Sequence, residues 1–285
     1  MEQPKGGHKR RPYNTLSAGD NIMQFGLCVE MALTGLPFTE RLSKAAALGF
    51  KNVEMWFIDA SYQGSPRELA RVAREHHLKI TNTVVGSPDG SLGGGLTDPG
   101  NRLQWLQRTQ KTLAFNQEAE IPATIVCTGN VVPGLSDAEM RESVLDGLRA
   151  TVELAEKAGI NLLLEPLNTR YDHPGYWLTS SDRAAEICRQ VGSSRLRVLF
   201  DCYHMQIMEG DLTNHIRQNL DVIGHLHSAG VPGRHELFEG EVNYRFLVDQ
   251  IERSGYQGVF GLEYAPSLQD EISLQQTLAY LTSNP

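Results

Sequence analysis

No stretch of this 285-residue chain approaches the roughly 20 uninterrupted apolar residues that a membrane-crossing helix requires, so a soluble protein without a membrane partner is expected. Cysteine is scarce. Its four residues, Cys28, Cys127, Cys188 and Cys202, form no CxxC pair and no zinc-finger spacing, which argues against a structural zinc site and a disulfide framework. They read as reduced thiols of a cytoplasmic protein. Positive charge is also short: 26 basic residues face 34 acidic ones, for a formal charge of -8. Proteins whose main partner is a polyphosphate usually present a basic surface, so no nucleic-acid partner is expected. The nucleotide signatures GxGxxG and GxxxxGKS are absent as well. No apolar run follows the basic cluster Lys9, Arg10 and Arg11, so the cluster is not read as a secretion signal. Residues 1–22 read instead as a flexible or surface-wrapped arm, and 23–285 as the folded domain.

What the chain does have is alternation. Short runs rich in Val, Ile, Leu and Phe occur at 24–28, 52–56, 79–83, 123–127, 161–165, 197–201, 222–227 and 259–263. Near-continuous apolar runs of this length are what strands buried on both faces look like. Between them lie stretches with apolar residues at three- and four-residue spacing: 41–48, 67–77, 102–120, 138–158, 180–191 and 244–254, with 268–281 closing the chain. Gly49, Gly159, Gly192 and Gly255 follow four of these segments, as helix C-caps do. Eight strand–helix units in about 260 residues predict an α/β protein built as a single (β/α)8 TIM barrel, which typically takes about 250 residues. The glycine-rich piece 86–100 reads as a long mobile loop over the open face. It lacks the lysine of a phosphate cradle.

In such a barrel, the residues at the C-terminal ends of the strands share one mouth. Here four consecutive strands deliver Glu165, Asp201, His227 and Glu263 to that rim. Any one of these could be a solvated strand-end group, but charged side chains are seldom left at buried positions unless paired or metal-bound. Three carboxylates and one imidazole suit one divalent cation, Mn²⁺ or Mg²⁺ first, with Co²⁺ and Zn²⁺ as competitors. Glu54 and Trp56, at the end of the second strand, either line the pocket or serve as a strand-end acid and a core aromatic.

The segments LLLEPLN (162–168), FDCYHMQIMEGDL (200–212), HLHSAGVPGRHEL (225–237) and GYQGVFGLEYAP (255–266) resemble the xylose isomerase-like TIM-barrel superfamily. Within it they are most similar to hydroxypyruvate isomerases, with ketose 3-epimerases as relatives. The resemblance spans roughly residues 23–266. It implies a metal held by Glu165, Asp201, His227 and Glu263, with the two glutamates also moving the proton. It further implies that His204 hydrogen-bonds a substrate oxygen and that Arg234, on the loop after strand seven, holds a substrate oxygen or carboxylate. His235 follows on the same loop as a further substrate-binding candidate. The chain departs from hydroxypyruvate isomerases in carrying His227 where they tend to carry Gln and the epimerases His; the difference bears on the substrate rather than on the metal.

The expected activity is therefore a metal-dependent isomerase or epimerase acting through an enediolate, of the type that converts hydroxypyruvate to tartronate semialdehyde. Its partner would be a short hydroxy-carbonyl or sugar, and the oligomeric state stays open between monomer and homo-oligomer. A dehydratase or decarboxylase of a hydroxy-keto acid would use the same intermediate. An endonuclease IV-like nuclease would keep Asp201, His204 and His235, but the Asp expected two residues before His235 is Gly233. A barrel that only binds sugars is the reading from outside enzymology.

Overall fold

Runs such as NLLL and LRVLFD form strands because both of their faces are covered, one by the barrel interior and one by helices. The computed structural model describes residues 23–283, so the arm assigned to residues 1–22 lies outside the described residues. Among the described residues nine strands occur: β1 (Gln24–Cys28), β2 (Asn52–Glu54), β3 (Lys79–Ile80), β4 (Thr83–Val84), β5 (Ala123–Val126), β6 (Asn161–Leu164), β7 (Leu196–Asp201), β8 (Ile223–Ser228) and β9 (Val259–Leu262). All pair in parallel, in the order β3-β2-β1-β9-β8-β7-β6-β5-β4.

The two ends of that order are halves of one segment, and this closes the ring. Residues 79–80 pair with β2, whereas Thr83 and Val84 pair with β5. Val84 N donates to Trp56 O at 3.0 Å while Val85 N donates to Ile125 O at 3.0 Å, so the segment bonds on both sides. The single third strand expected at 79–83 is thus interrupted at Thr81 and Asn82. The backbone still bonds to the second strand there, Thr81 N to Val53 O at 2.9 Å and Met55 N to Asn82 O at 3.3 Å, with Thr81 Oγ1 also donating to Val53 O and Asn82 Nδ2 to Thr81 Oγ1; what changes across these two residues is the strand that the segment pairs with.

Around the barrel run α1 (Phe38–Ala47), α2 (Pro66–Glu75), α3 (Arg102–Glu118), α4 (Asp137–Ala158), α5 (Ser181–Val191), α6 (Cys202–Met208), α7 (Leu212–Asn219), α8 (Tyr244–Arg253) and α9 (Asp270–Thr282). Local chemistry sets their limits. Helix α4 begins with a capping box, Ser136 with Glu139, and ends at Gly159 with φ 74°, a conformation glycine adopts without steric cost. The sixth connection differs from expectation: the residues after Asp201 turn directly into α6, because the Asp201 carboxylate accepts from Tyr203 N at 2.7 Å. This short helix carries His204 back over the mouth. Leu162, Leu164, Val198, Phe200, Leu226 and Phe260 are buried on the strands, each contributing about 1.5–3 kcal/mol by leaving water. Among the described residues, no helix is long and apolar enough to cross a membrane.

Candidate active site

Strand register gathers the expected rim residues. Asp201 on β7 pairs with His227 on β8, and His227 pairs with Gly261 on β9. Glu165 and Glu263 each sit one residue past a strand, yet extend the ladder through Glu165 N to Val126 O (3.2 Å) and Glu263 N to Ser228 O (3.0 Å). All four side chains are buried. His227 Nδ1 lies 3.5 Å from Glu263 Oε2 and 3.8 Å from Glu165 Oε1. The three carboxylates form a cluster with His204, whose Nε2 is 3.5 Å from Asp201 Oδ2. His227 Nδ1 and His204 Nε2 are both buried without a hydrogen-bond partner. Unpartnered buried nitrogens are costly, and here both face carboxylates, so the residues present fit a divalent cation and an oxygen-bearing ligand.

The two orphan nitrogens are not equivalent. His227 Nε2 is 2.6 Å from Glu54 Oε2, which only accepts, so the proton of the neutral ring lies there and Nδ1 keeps a lone pair. His204 Nδ1 is 2.7 Å from Asn168 Nδ2 and 3.3 Å from Asn168 N, both donors. The amide orientation is fixed, since Asn168 Oδ1 accepts from Tyr171 N and Asp172 N while Nδ2 also donates to Asp172 Oδ2. His204 Nε2 therefore carries hydrogen in the neutral ring. It suits donation to an oxygen, not metal ligation.

Beside these groups lies a cavity of about 140 Å³. Val84, Ile125, Cys127 and Leu167 give it an apolar wall, whereas Glu165, Glu263, His173, His204 and Arg234 bring polar atoms to it. Trp56 lines it too, and its Nε1 donates to Glu263 Oε1 at 3.0 Å. From the glycine-rich loop, folded by Ser87, Asp89 and Ser91 hydrogen bonds, Pro88 reaches the cavity. Arg234 pairs with Glu263, stands 3.7 Å from Asp172 and lies 5.2 Å from the Tyr203 ring centre. Its φ of 59° is unusual for a side-chain-bearing residue and is held by Arg234 N to Gly230 O at 2.9 Å.

Two expectations change. Glu54 does not line the cavity but lies beneath it, against His225 and His227. His235 points out: exposed, its Nδ1 meets Ala265 O at 2.8 Å, because the positive-φ turn at Arg234 sends the next side chain away from the mouth. Residues that the sequence reading gave no role include His225 and Asn168. The His-x-His alternation of β8 was a signal for the first, since alternate strand residues share a face. Nothing in LEPLN marks Asn168 as a histidine's partner.

Electrostatics separates the carboxylates. Burial, then the nearby Glu263, pushes Asp201 up to about 7. Burial also raises Glu165. Glu263 goes the other way: burial opposes ionisation, but Arg234 and His227 hold it below the usual range. Burial would likewise neutralise His227, yet Glu54 and Glu263 raise its proton affinity well above normal. Burial, reinforced by Arg234, keeps His204 neutral. A bound cation would expel the protons of Asp201 and His227.

Residues 42–283 match the family described as xylose isomerase-like TIM barrel. The chain is similar to 2-oxo-tetronate isomerase of Cupriavidus necator, with 32% identity over 90% of this chain and 98% of the relative. It is equally similar to hydroxypyruvate isomerase of Escherichia coli, 32% identical over 89% of this chain and 98% of the relative. Among solved structures, an AP endonuclease, family 2, from Brucella melitensis superposes with a TM-score of 0.84 at 29% identity, covering 91% and 99% of the two chains.

Proposed function

The chain belongs to the xylose isomerase-like TIM-barrel family, and on that premise we propose that it is a metal-dependent isomerase of a short α-hydroxy carbonyl acid, of the hydroxypyruvate or 2-oxo-tetronate kind. The observation that carries this reading is the meeting of two unpartnered imidazole nitrogens with three carboxylates at a cavity of about 140 Å³. Glu165, Asp201, His227 through Nδ1, and Glu263 would hold one Mn²⁺ or Mg²⁺. When bound, the cation draws electron density from a carbonyl and its neighbouring hydroxyl, which acidifies the adjacent C–H bond.

The chain's own groups then move one proton between neighbouring carbons, while the hydroxyl proton passes to the former carbonyl oxygen. Glu263, kept ionised by Arg234, takes the proton from the hydroxyl-bearing carbon, and Glu165, with its higher proton affinity, returns one to the former carbonyl carbon. His204 Nε2–H donates to the oxygen that gains charge as the C–H bond breaks. Arg234 also suits a substrate carboxylate, as a planar guanidinium does. The apolar wall excludes water and limits substrate length.

A nuclease reading, prompted by the name of the Brucella protein, has less support. The formal charge of -8 opposes a polyanion, and His235 is turned toward Ala265 O. The test is Mn²⁺-loaded protein with hydroxypyruvate in D₂O, followed by NMR. Tartronate semialdehyde with deuterium at the carbon next to its carbonyl is the expected product. Carbon dioxide or a dehydrated product without that aldehyde would replace the isomerase reading with a decarboxylase or dehydratase.

A further inference from the structure

Below the rim, Glu54 is buried inside the barrel with one imidazole on each carboxylate oxygen: His225 Nε2 on Oε1 at 2.9 Å and His227 Nε2 on Oε2 at 2.6 Å. The two rings stand nearly perpendicular, at 81°, with centres 5.0 Å apart, so one carboxylate serves both edges. The neighbouring strands make room for it. A Cβ at Gly261 would lie 2.4 Å from Glu54 Oε1 and 2.7 Å from His227 Cδ2; one at Gly26 would meet Val259 Cγ1 first, at 2.9 Å, and the same Oε1 at 3.1 Å. Glycine weakens a strand interior, so its use at Gly261 is accounted for by the space the carboxylate and His227 occupy. The three side chains have ligand-like spacing, but contacts of 2.6 and 2.9 Å are hydrogen-bond lengths, and each carboxylate oxygen is already against an N–H.

We propose that Glu54 is a positioning residue: by holding the Nε2–H of His227, with His225 steadying its other oxygen, it keeps the Nδ1 lone pair of His227 aimed into the cation site. The inference rests on the metal-dependent reading above. It also explains why this ring differs from His204. A carboxylate only accepts and therefore fixes Nε2–H, whereas the Asn168 amide donates and fixes the opposite arrangement on His204. In Glu54→Gln, the new side chain accepts from one imidazole and donates toward the other. One ring must then move its proton, and a proton on His227 Nδ1 blocks ligation.

Two measurements on the full chain test this. Calorimetric titration with Mn²⁺ alone is expected to give an affinity about 10- to 100-fold weaker for E54Q than for the starting protein, while far-ultraviolet circular dichroism stays the same. Nitrogen-15 NMR of the histidine rings, in Mg²⁺-loaded protein and in metal-free protein at a pH where His227 is neutral, is expected to show a strongly downfield proton on His227 Nε2. Unchanged Mn²⁺ affinity in folded E54Q would overturn the proposal. If E54Q does not fold, the NMR of the unsubstituted protein decides: a bare His227 Nε2 overturns the proposal and a protonated one supports it. Failure of the unsubstituted protein to bind Mn²⁺ would remove the metal reading alone, because the ring proton still reports on Glu54.

Discussion

The two halves of this barrel do different work. Strands β6 to β9 lead into Glu165, Asp201, His227 and Glu263, whereas the segments at β4 and β5 offer the cavity Val84, Ile125 and Cys127. One half supplies charge and exchangeable protons; the other supplies shape and a dry wall. Glu54, on β2, is the exception outside the charged half, and it serves that half: it reaches across to His225 and His227 and stays out of the cavity. Chemistry and specificity are therefore separable by substitution.

The largest effect should come from the charged half. On the proposed mechanism Glu165→Gln or Glu263→Gln keeps the shape but removes a group that moves a proton, so kcat should fall about 10²- to 10⁴-fold with circular dichroism unchanged. Retention of more than a tenth of the turnover in both variants would break the division. Next is pH. The cation-free Asp201 keeps its proton up to about pH 7, and His227 holds one still higher. Since Mn²⁺ must displace them, calorimetric affinity should fall about tenfold for each pH unit and proton below 7, and rise with pH above it until His227 is neutral. An affinity flat between pH 5.5 and 8 would remove these groups from the cation site.

The apolar half should respond differently. Ile125→Phe narrows the cavity without touching a charge, so KM should rise roughly tenfold while Mn²⁺ affinity stays put, at a stability cost of about 1–3 kcal/mol. Lost metal binding in that variant would mean the halves are coupled. The smallest effect is expected at His235, which faces Ala265 O: His235→Ala should leave kcat/KM within about twofold. A large loss of kcat/KM would restore it as a substrate contact.

Much of this arrangement is visible in the order of residues, and the hidden parts have physical reasons. Apolar runs that stop at Glu165, Asp201 and Glu263 mark both the strand and the direction in which its end faces, because parallel barrel strands open on one rim. The third strand reads as continuous, and its backbone does keep bonding to β2 through Thr81 and Asn82; what the order of residues does not show is the change of partner, from β2 at residues 79–80 to β5 at 83–84. Helix α6 is hard to read from the sequence because it is seven residues long and starts directly at the strand-end Asp201, whose carboxylate caps it. The role of Glu54 depends on depth. A residue at a strand end reads as rim, and it is Gly261, far along the chain on β9, that leaves the room for it. The outward turn of His235 has a local reason that the sequence hides, since arginine rarely adopts the positive φ found at Arg234.

The central claim is that one cation sits among four side chains drawn from four strands. A crystal grown with Mn²⁺ and measured at a wavelength where manganese scatters anomalously tests it directly. The account predicts one strong peak touching Glu165, Asp201, Glu263 and the Nδ1 side of His227. A peak between Glu54, His225 and His227, or no peak near either cluster, would contradict it.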